Sequence, residues 1–157
     1  MRIFIDADGC PVVRLTLDTA KKHHIPVTIV CDTAHEFSRY DAEVITVDKG
    51  ADSADFALVN LMNKDDIAIT QDYGLAAMCL AKKAYAINQN GLVYNSDNID
   101  SLLMSRHIAK KLKRSGKHLK GPAKRTSDND KKFVAALENL ITETFGKDGY
   151  TQCSSVM

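Results

Sequence analysis

Ile3-Phe4-Ile5-Asp6-Ala7-Asp8-Gly9-Cys10-Pro11-Val12-Val13 is the stretch whose reading decides the fold. An apolar run closes on two carboxylates, a glycine makes a turn, and a proline stands where a helix opens. Proline fits the first helical position because its missing N–H would have no partner there in any case. The stretch therefore reads strand, turn, helix, with Asp6 and Asp8 at the carboxyl end of the strand. In an open parallel sheet that edge is where sites form.

The same unit recurs along the chain. Residues 10–24 have helical spacing, with Val13, Leu17 and Ala20 on one face. Val27-Thr28-Ile29-Val30-Cys31 is a second strand ending at Asp32. Residues 35–40 are polar and loop-like. Glu43-Val44-Ile45-Thr46-Val47, rich in β-branched residues, is a third strand ending at Asp48. Lys49-Gly50-Ala51 turns into a helix over 52–62 with Ala54, Leu58 and Leu61 inward. Asp66-Ile67-Ala68-Ile69-Thr70-Gln71-Asp72 is a short fourth strand, residues 73–83 a helix with Leu75, Cys79 and Leu80 inward, and residues 84–88 a fifth strand before the Asn90-Gly91 turn. Helices follow over 97–114 and from Thr126, the last with Phe133, Leu137, Leu140 and Ile141 on one face. Ser115-Gly116 and Gly121-Pro122 break the chain between them.

Alternating strands and helices with short turns predict an α/β fold. Its centre is a mostly parallel sheet in a three-layer arrangement, with helices on both faces and further C-terminal helices. Nearly unbroken apolar strands fit burial on both sides. Residues 1–145 read as one domain and 146–157 as a loose C-terminal tail. Hydrophobic residues at 45% supply a core for 157 residues. No apolar run is long enough to span a membrane, and the N-terminus enters strand-like sequence without a signal peptide. Cys10, Cys31, Cys79 and Cys153 show no paired spacing. Reduced thiols, a cytoplasmic location and no membrane partner are expected.

Acids arrive at one sheet edge from three separate segments: Asp6 and Asp8, then Asp52 and Asp55 opening the helix after the third strand, then Asp72. Carboxylates about 4 Å apart repel by roughly 4 kcal/mol per pair at an effective dielectric near 20. Such a cluster protonates or collects a divalent cation, and all-oxygen ligands favour Mg²⁺ or Mn²⁺. The fitting chemistry is phosphodiester hydrolysis. Each acid also has a local reading. Asp52 and Asp55 make a capping box, Asp72 caps its helix, and Asp8-Gly9 is a turn pair. Capping and cation binding are compatible, since a helix N-terminus keeps a carboxylate ionised. Asp32 and Asp48 read as plain loop acids.

Ile5-Asp6-Ala7-Asp8-Gly9-Cys10-Pro11-Val12, Ala51-Asp52-Ser53-Ala54-Asp55 and Thr70-Gln71-Asp72-Tyr73-Gly74-Leu75-Ala76 resemble the signature blocks of the YaiI/YqxD family. Lys120-Gly121-Pro122 before the last helix is similar to its C-terminal pattern. The resemblance covers nearly all of residues 1–145, with Gly9 where the family's first motif has alanine. That family resembles the PIN-like nuclease superfamily, which places acids after the first strand, in a middle helix and after a later strand. The resemblance implies a metal-dependent nuclease-like site. Asp6, Asp8 and Asp72 would be metal ligands, and Asp55, with Asp52 nearby, would complete the pocket or orient water. Catalytic roles then fall to Asp6, Asp8, Asp55 and Asp72, and metal contacts to Asp6, Asp8, Asp72 and Asp52.

The near-neutral total charge of +1 hides an uneven distribution. Residues 106–125 hold nine lysines and arginines and no acid, whereas residues 1–105 carry nine against fifteen acids. Arg106, Lys110, Lys113, Arg114, Lys117, Lys120, Lys124 and Arg125 are expected to contact a nucleic-acid backbone, RNA before DNA. A solvated helix face is the plain alternative. The segment holds no aromatic residue, so phosphate contact rather than base stacking is expected.

Cys10 sits where a helix start can acidify a thiol, yet with no nearby base it reads as a packed residue. His23, His24, His35, His107 and His118 lack metal-ligand spacing. Nucleotide-cofactor glycine fingerprints are missing. Two alternatives to the nuclease follow from the same residues. One is a haloacid-dehalogenase-like phosphatase with Asp6 as nucleophile and Asp8 as acid/base, against which stands Cys10 in place of a threonine. The other is a non-catalytic RNA-binding module.

Overall fold

The structure, a computed structural model, describes residues 1–32, 37–49, 53–118, 121 and 123–153, the side chains of 53 and 147–153 excepted. Asp52 and Lys120, the Gly50-Ala51 turn, Pro122 and the His35-Glu36 part of the polar loop lie outside the described residues. The order is β1 (Ile3–Asp6), α1 (Val13–Lys22), β2 (Val27–Cys31), β3 (Glu43–Thr46), α2 (Ser53–Leu61), β4 (Ile67–Ile69), α3 (Tyr73–Ala81), β5 (Tyr85–Ile87), α4 (Ile99–Arg114) and α5 (Ser127–Cys153).

All five strands are parallel, in the spatial order β3-β2-β1-β4-β5. Ile3 lies between Val27 of β2 and Ile67 of β4. The layout is consistent with the PIN-like arrangement. The chain builds outward from β1 through β2 to β3, then returns to the other side of β1 as β4. That reversal puts a topological switch point between the carboxyl ends of β1 and β4, where open α/β sheets form a crevice.

Strand alternation divides the core into two layers. Ile3, Ile5, Ile29, Ile67, Ile69 and Ile87 pack with Val13 and Ala20 of α1 and Phe133, Leu137, Leu140 and Ile141 of α5. Phe4, Val30, Ala68 and Ala86 pack on the opposite face with Leu58, Leu75, Cys79, Tyr94 and Ile99. Each fully buried Ile, Leu or Phe contributes roughly 1.5–3 kcal/mol relative to exposure. These layers hold the strand ends, and so the acids, in register.

Three local readings change. Pro11 belongs to the turn, and α1 opens at Val13 with Val12 as its N-cap. Ala54 and Leu58 of α2 pack inward as expected, followed by Met62 just past its end, while Leu61 is 45% exposed. The last helix continues past Gly146 to Cys153, because an interior glycine costs only about 1 kcal/mol and breaks nothing by itself. Ser115-Gly116 does end α4. Gly116 takes φ +81°, with Lys117 N–H bonded to Leu112 O and Gly116 N–H to Lys113 O, a Schellman closure. Among the described residues no helix is long and apolar enough to cross a membrane.

Candidate active site

β1 delivers Asp6 half-buried at its end, and the turn after it leaves Asp8 exposed. Gly9 adopts φ +74°, a left-handed conformation that glycine takes without a steric penalty. Asp8 Oδ2 accepts from the Asp32 N–H at 2.8 Å, tying the β1 turn to the end of β2. Gln71 Nε2 donates to Gly9 O at 3.2 Å, tying the same turn to the end of β4.

Asp72 is the N-cap of α3, its Oδ1 accepting from Gly74 N–H at 2.8 Å and Leu75 N–H at 3.2 Å. The cap reading of Asp72 and its place at the edge are both realised, since one oxygen closes the helix while the residue faces the crevice. Thr70 joins the two acids. Its hydroxyl donates to Asp6 Oδ2 at 2.9 Å and accepts from Asp72 N–H at 3.0 Å. Its carbonyl accepts from the buried Tyr94 hydroxyl at 3.3 Å.

Asp6, Asp8, Gly9, Gln71, Asp72, Tyr73 and Arg106 line one cavity of about 510 Å³. Burial pushes the Asp6 carboxyl above the ordinary value of 3.8. The Thr70 hydroxyl pulls it back, and the charges of Asp72 and Asp8 push it further up. The repulsion expected between acids from separate segments therefore acts at Asp6. Arg106 Nη1 stands 3.4 Å from Asp72 Oδ1.

Asp55 does not line this cavity. It stands in the first turn of α2, and its charge, with that of Asp6, raises the Cys79 thiol, which burial has already pushed up; the result is about 12. Burial likewise pushes Cys10 up to about 11, in line with a packed thiol. Among the described residues no group of three or more His, Cys, Asp or Glu side chains is arranged to hold a metal ion, and Asp52 is outside that set. The donor set nonetheless suits a hard dication. Asp6 Oδ1 and Asp72 Oδ2 make no hydrogen bond among the described residues, and oxygen ligands match Mg²⁺ or Mn²⁺.

The basic segment divides. Arg106, Lys110, Lys113 and Arg114 are exposed on α4, and their i, i+4, i+7 spacing puts the first three on one face. Arg106 carries that face into the acidic cavity. Lys117 and Lys124 are exposed beyond the helix. Arg125 turns inward instead, to Asp130 at 2.7 Å, Asn90 Oδ1 at 2.9 Å and Gln89 O at 2.8 Å. Sequence reasoning passed over Thr70 and Gln71; the only signal was two polar residues closing an apolar strand ahead of Asp72.

Residues 4–143 match the family described as "Uncharacterized BCR, YaiI/YqxD family". The chain belongs to the YaiI/YqxD family. A UPF0178 protein of Clostridium acetobutylicum is 51% identical over 143 residues, covering 90% of this chain and 97% of that relative. One from Exiguobacterium sibiricum is 50% identical over 143 residues, covering 91% and 98%. A third, from Alkaliphilus oremlandii, is 48% identical over 147 residues, covering 94% and 95%. No solved structure matches the chain. In this YaiI/YqxD member the matched span runs from the second residue of β1 through most of α5, and with it every residue of the acidic cavity.

Proposed function

We propose that the chain is a Mg²⁺- or Mn²⁺-dependent nuclease of the PIN-like kind, hydrolysing phosphodiester bonds of RNA or DNA. One observation carries the reading: Asp6, Asp8 and Asp72 share a cavity at the sheet's switch point, and the cationic face of α4 leads into it through Arg106. Asp6, Asp8 and Asp72 would hold the cation, with Asp52 as a further ligand. The cation, when bound, supplies activation of water and neutralisation of phosphate charge.

The chain's own groups do the rest. Thr70 fixes the Asp6 carboxylate, and α3 fixes that of Asp72. Gln71 holds the Asp8-Gly9 turn against the end of β4. Arg106, Lys110, Lys113 and Arg114 place the phosphates of a bound strand by charge, which positions without reading sequence.

The test is cleavage of an end-labelled RNA oligonucleotide with Mn²⁺, using the unaltered protein, Asp6→Asn and Asp72→Asn. Cleavage by the parent, with losses of at least about 100-fold in each variant, is the expected result; losses of that order follow removal of one transition-state electrostatic contact. RNA binding without cleavage by any of the three assigns a binding module. A phosphoryl group trapped on Asp6 assigns a phosphatase.

A further inference from the structure

Arg106 is the one basic residue lining the acidic cavity among the described residues. It reaches Asp72 from α4 at 3.4 Å, and the two side chains are 44% and 33% exposed. A pair this long and this wet has little net worth and exchanges readily. Asp72 does not need it for its position, because the Gly74 and Leu75 N–H groups already hold Oδ1. Arg106 also belongs to the exposed face that carries Lys110 and Lys113. A phosphate chain laid along that face meets a guanidinium whose planar fork binds phosphate through two parallel hydrogen bonds.

We propose that Arg106 exchanges Asp72 for a phosphate of the bound strand, and that the exchange makes polyanion binding and dication binding at this cavity reinforce each other. With Arg106 on Asp72, one of the three negative charges is partly neutralised and the attraction for a dication is weakened. With Arg106 on phosphate, the carboxylate is released in place and its full charge returns to the cavity. Arg106 is thus a positioning and selectivity residue: it opens the acidic cavity fully only for a ligand that brings phosphate. This rests on the cation-site reading above and adds a coupling to it.

Mn²⁺ is titrated calorimetrically into the unaltered protein and into Arg106→Gln. Each titration is run with and without a saturating 2′-O-methyl phosphorothioate dodecauridylate, which resists cleavage. In the parent the oligonucleotide tightens Mn²⁺ binding on the order of tenfold, and by linkage Mn²⁺ tightens the oligonucleotide by the same factor. In Arg106→Gln, Mn²⁺ binds more tightly than in the parent without any oligonucleotide, and the oligonucleotide tightens it by a clearly smaller factor than in the parent, the remainder being direct attraction between phosphate and cation. Equal coupling in both proteins overturns the exchange while leaving the cation site standing. Mn²⁺ binding by neither protein overturns the cation site and the exchange together. Arg106 is exposed, and matching melting curves for the two proteins confirm that the comparison is between folded molecules.

Discussion

Thr70 and Asp6 are joined by a 2.9 Å hydrogen bond from the threonine hydroxyl to the carboxylate, across neighbouring parallel strands. The same hydroxyl receives the Asp72 N–H, so one side chain links the two acid-bearing strand ends. Thr70→Val keeps the shape and leaves a half-buried carboxylate and an amide short of a partner. A loss of about 1.5–3 kcal/mol is expected, as for hydrogen bonds to charged groups. Thr70→Ser should recover most of it. Urea denaturation of the three proteins reads both effects.

Ionisation of Asp6 is less favourable in the folded protein than in the unfolded one. Its folded pKa lies above the ordinary 3.8, chiefly through burial. A raised carboxyl contributes its stability in full below the unfolded value and loses it as pH rises through the folded one. Asp6→Asn removes the charge and keeps an oxygen for Thr70. The variant should be the more stable protein at pH 7 in the presence of a chelator, and the gap should close as pH falls toward 3.8. Urea midpoints for both proteins across that range give the measurement.

Arg125 is engaged within the fold. It ties the turn at Gln89 and Asn90 to Asp130 in the first turn of α5. Arg125→Ala should cost about 1–2 kcal/mol, a figure held down because Asp130 is half-exposed. Its effect on oligonucleotide affinity should be small beside that of Lys110→Ala with Lys113→Ala. Denaturation and fluorescence anisotropy separate the two roles.

Gly91 is needed where it stands. It takes φ +87°, and a Cβ there would meet Lys132 O at 2.6 Å. The turn therefore packs directly on the backbone of α5. Gly91→Ala combines left-handed strain with a backbone clash and should destabilise by about 1–3 kcal/mol in thermal melts.

The fold was legible because β1, β2 and β4 are apolar on both faces and each closes on a polar residue. Strand ends Asp6 and Asp72 could be set on one edge once the strands were read as parallel. Only Leu61 of the expected α2 face turns outward, because Leu58, Leu61 and Met62 all satisfy helical spacing and only packing chooses among them. Arg125 looked like its eight basic neighbours because sequence does not show which cation has an acid and a carbonyl folded against it. Thr70 was invisible as a link, since a threonine at a strand end is ordinary until the neighbouring strand brings a carboxylate to it. The last helix runs past the expected boundary at Gly146 because one glycine lowers helix propensity without breaking the helix.

The central claim is that Asp6, Asp8 and Asp72 together hold a divalent cation. A crystal of the protein soaked in Mn²⁺, with data collected for anomalous scattering, tests it most directly. The expected result is a single strong anomalous peak bonded to oxygens of Asp6, Asp8 and Asp72 in the cavity beside Gly9. A cavity without a peak at saturating Mn²⁺, with Asp72 still paired to Arg106, would contradict it.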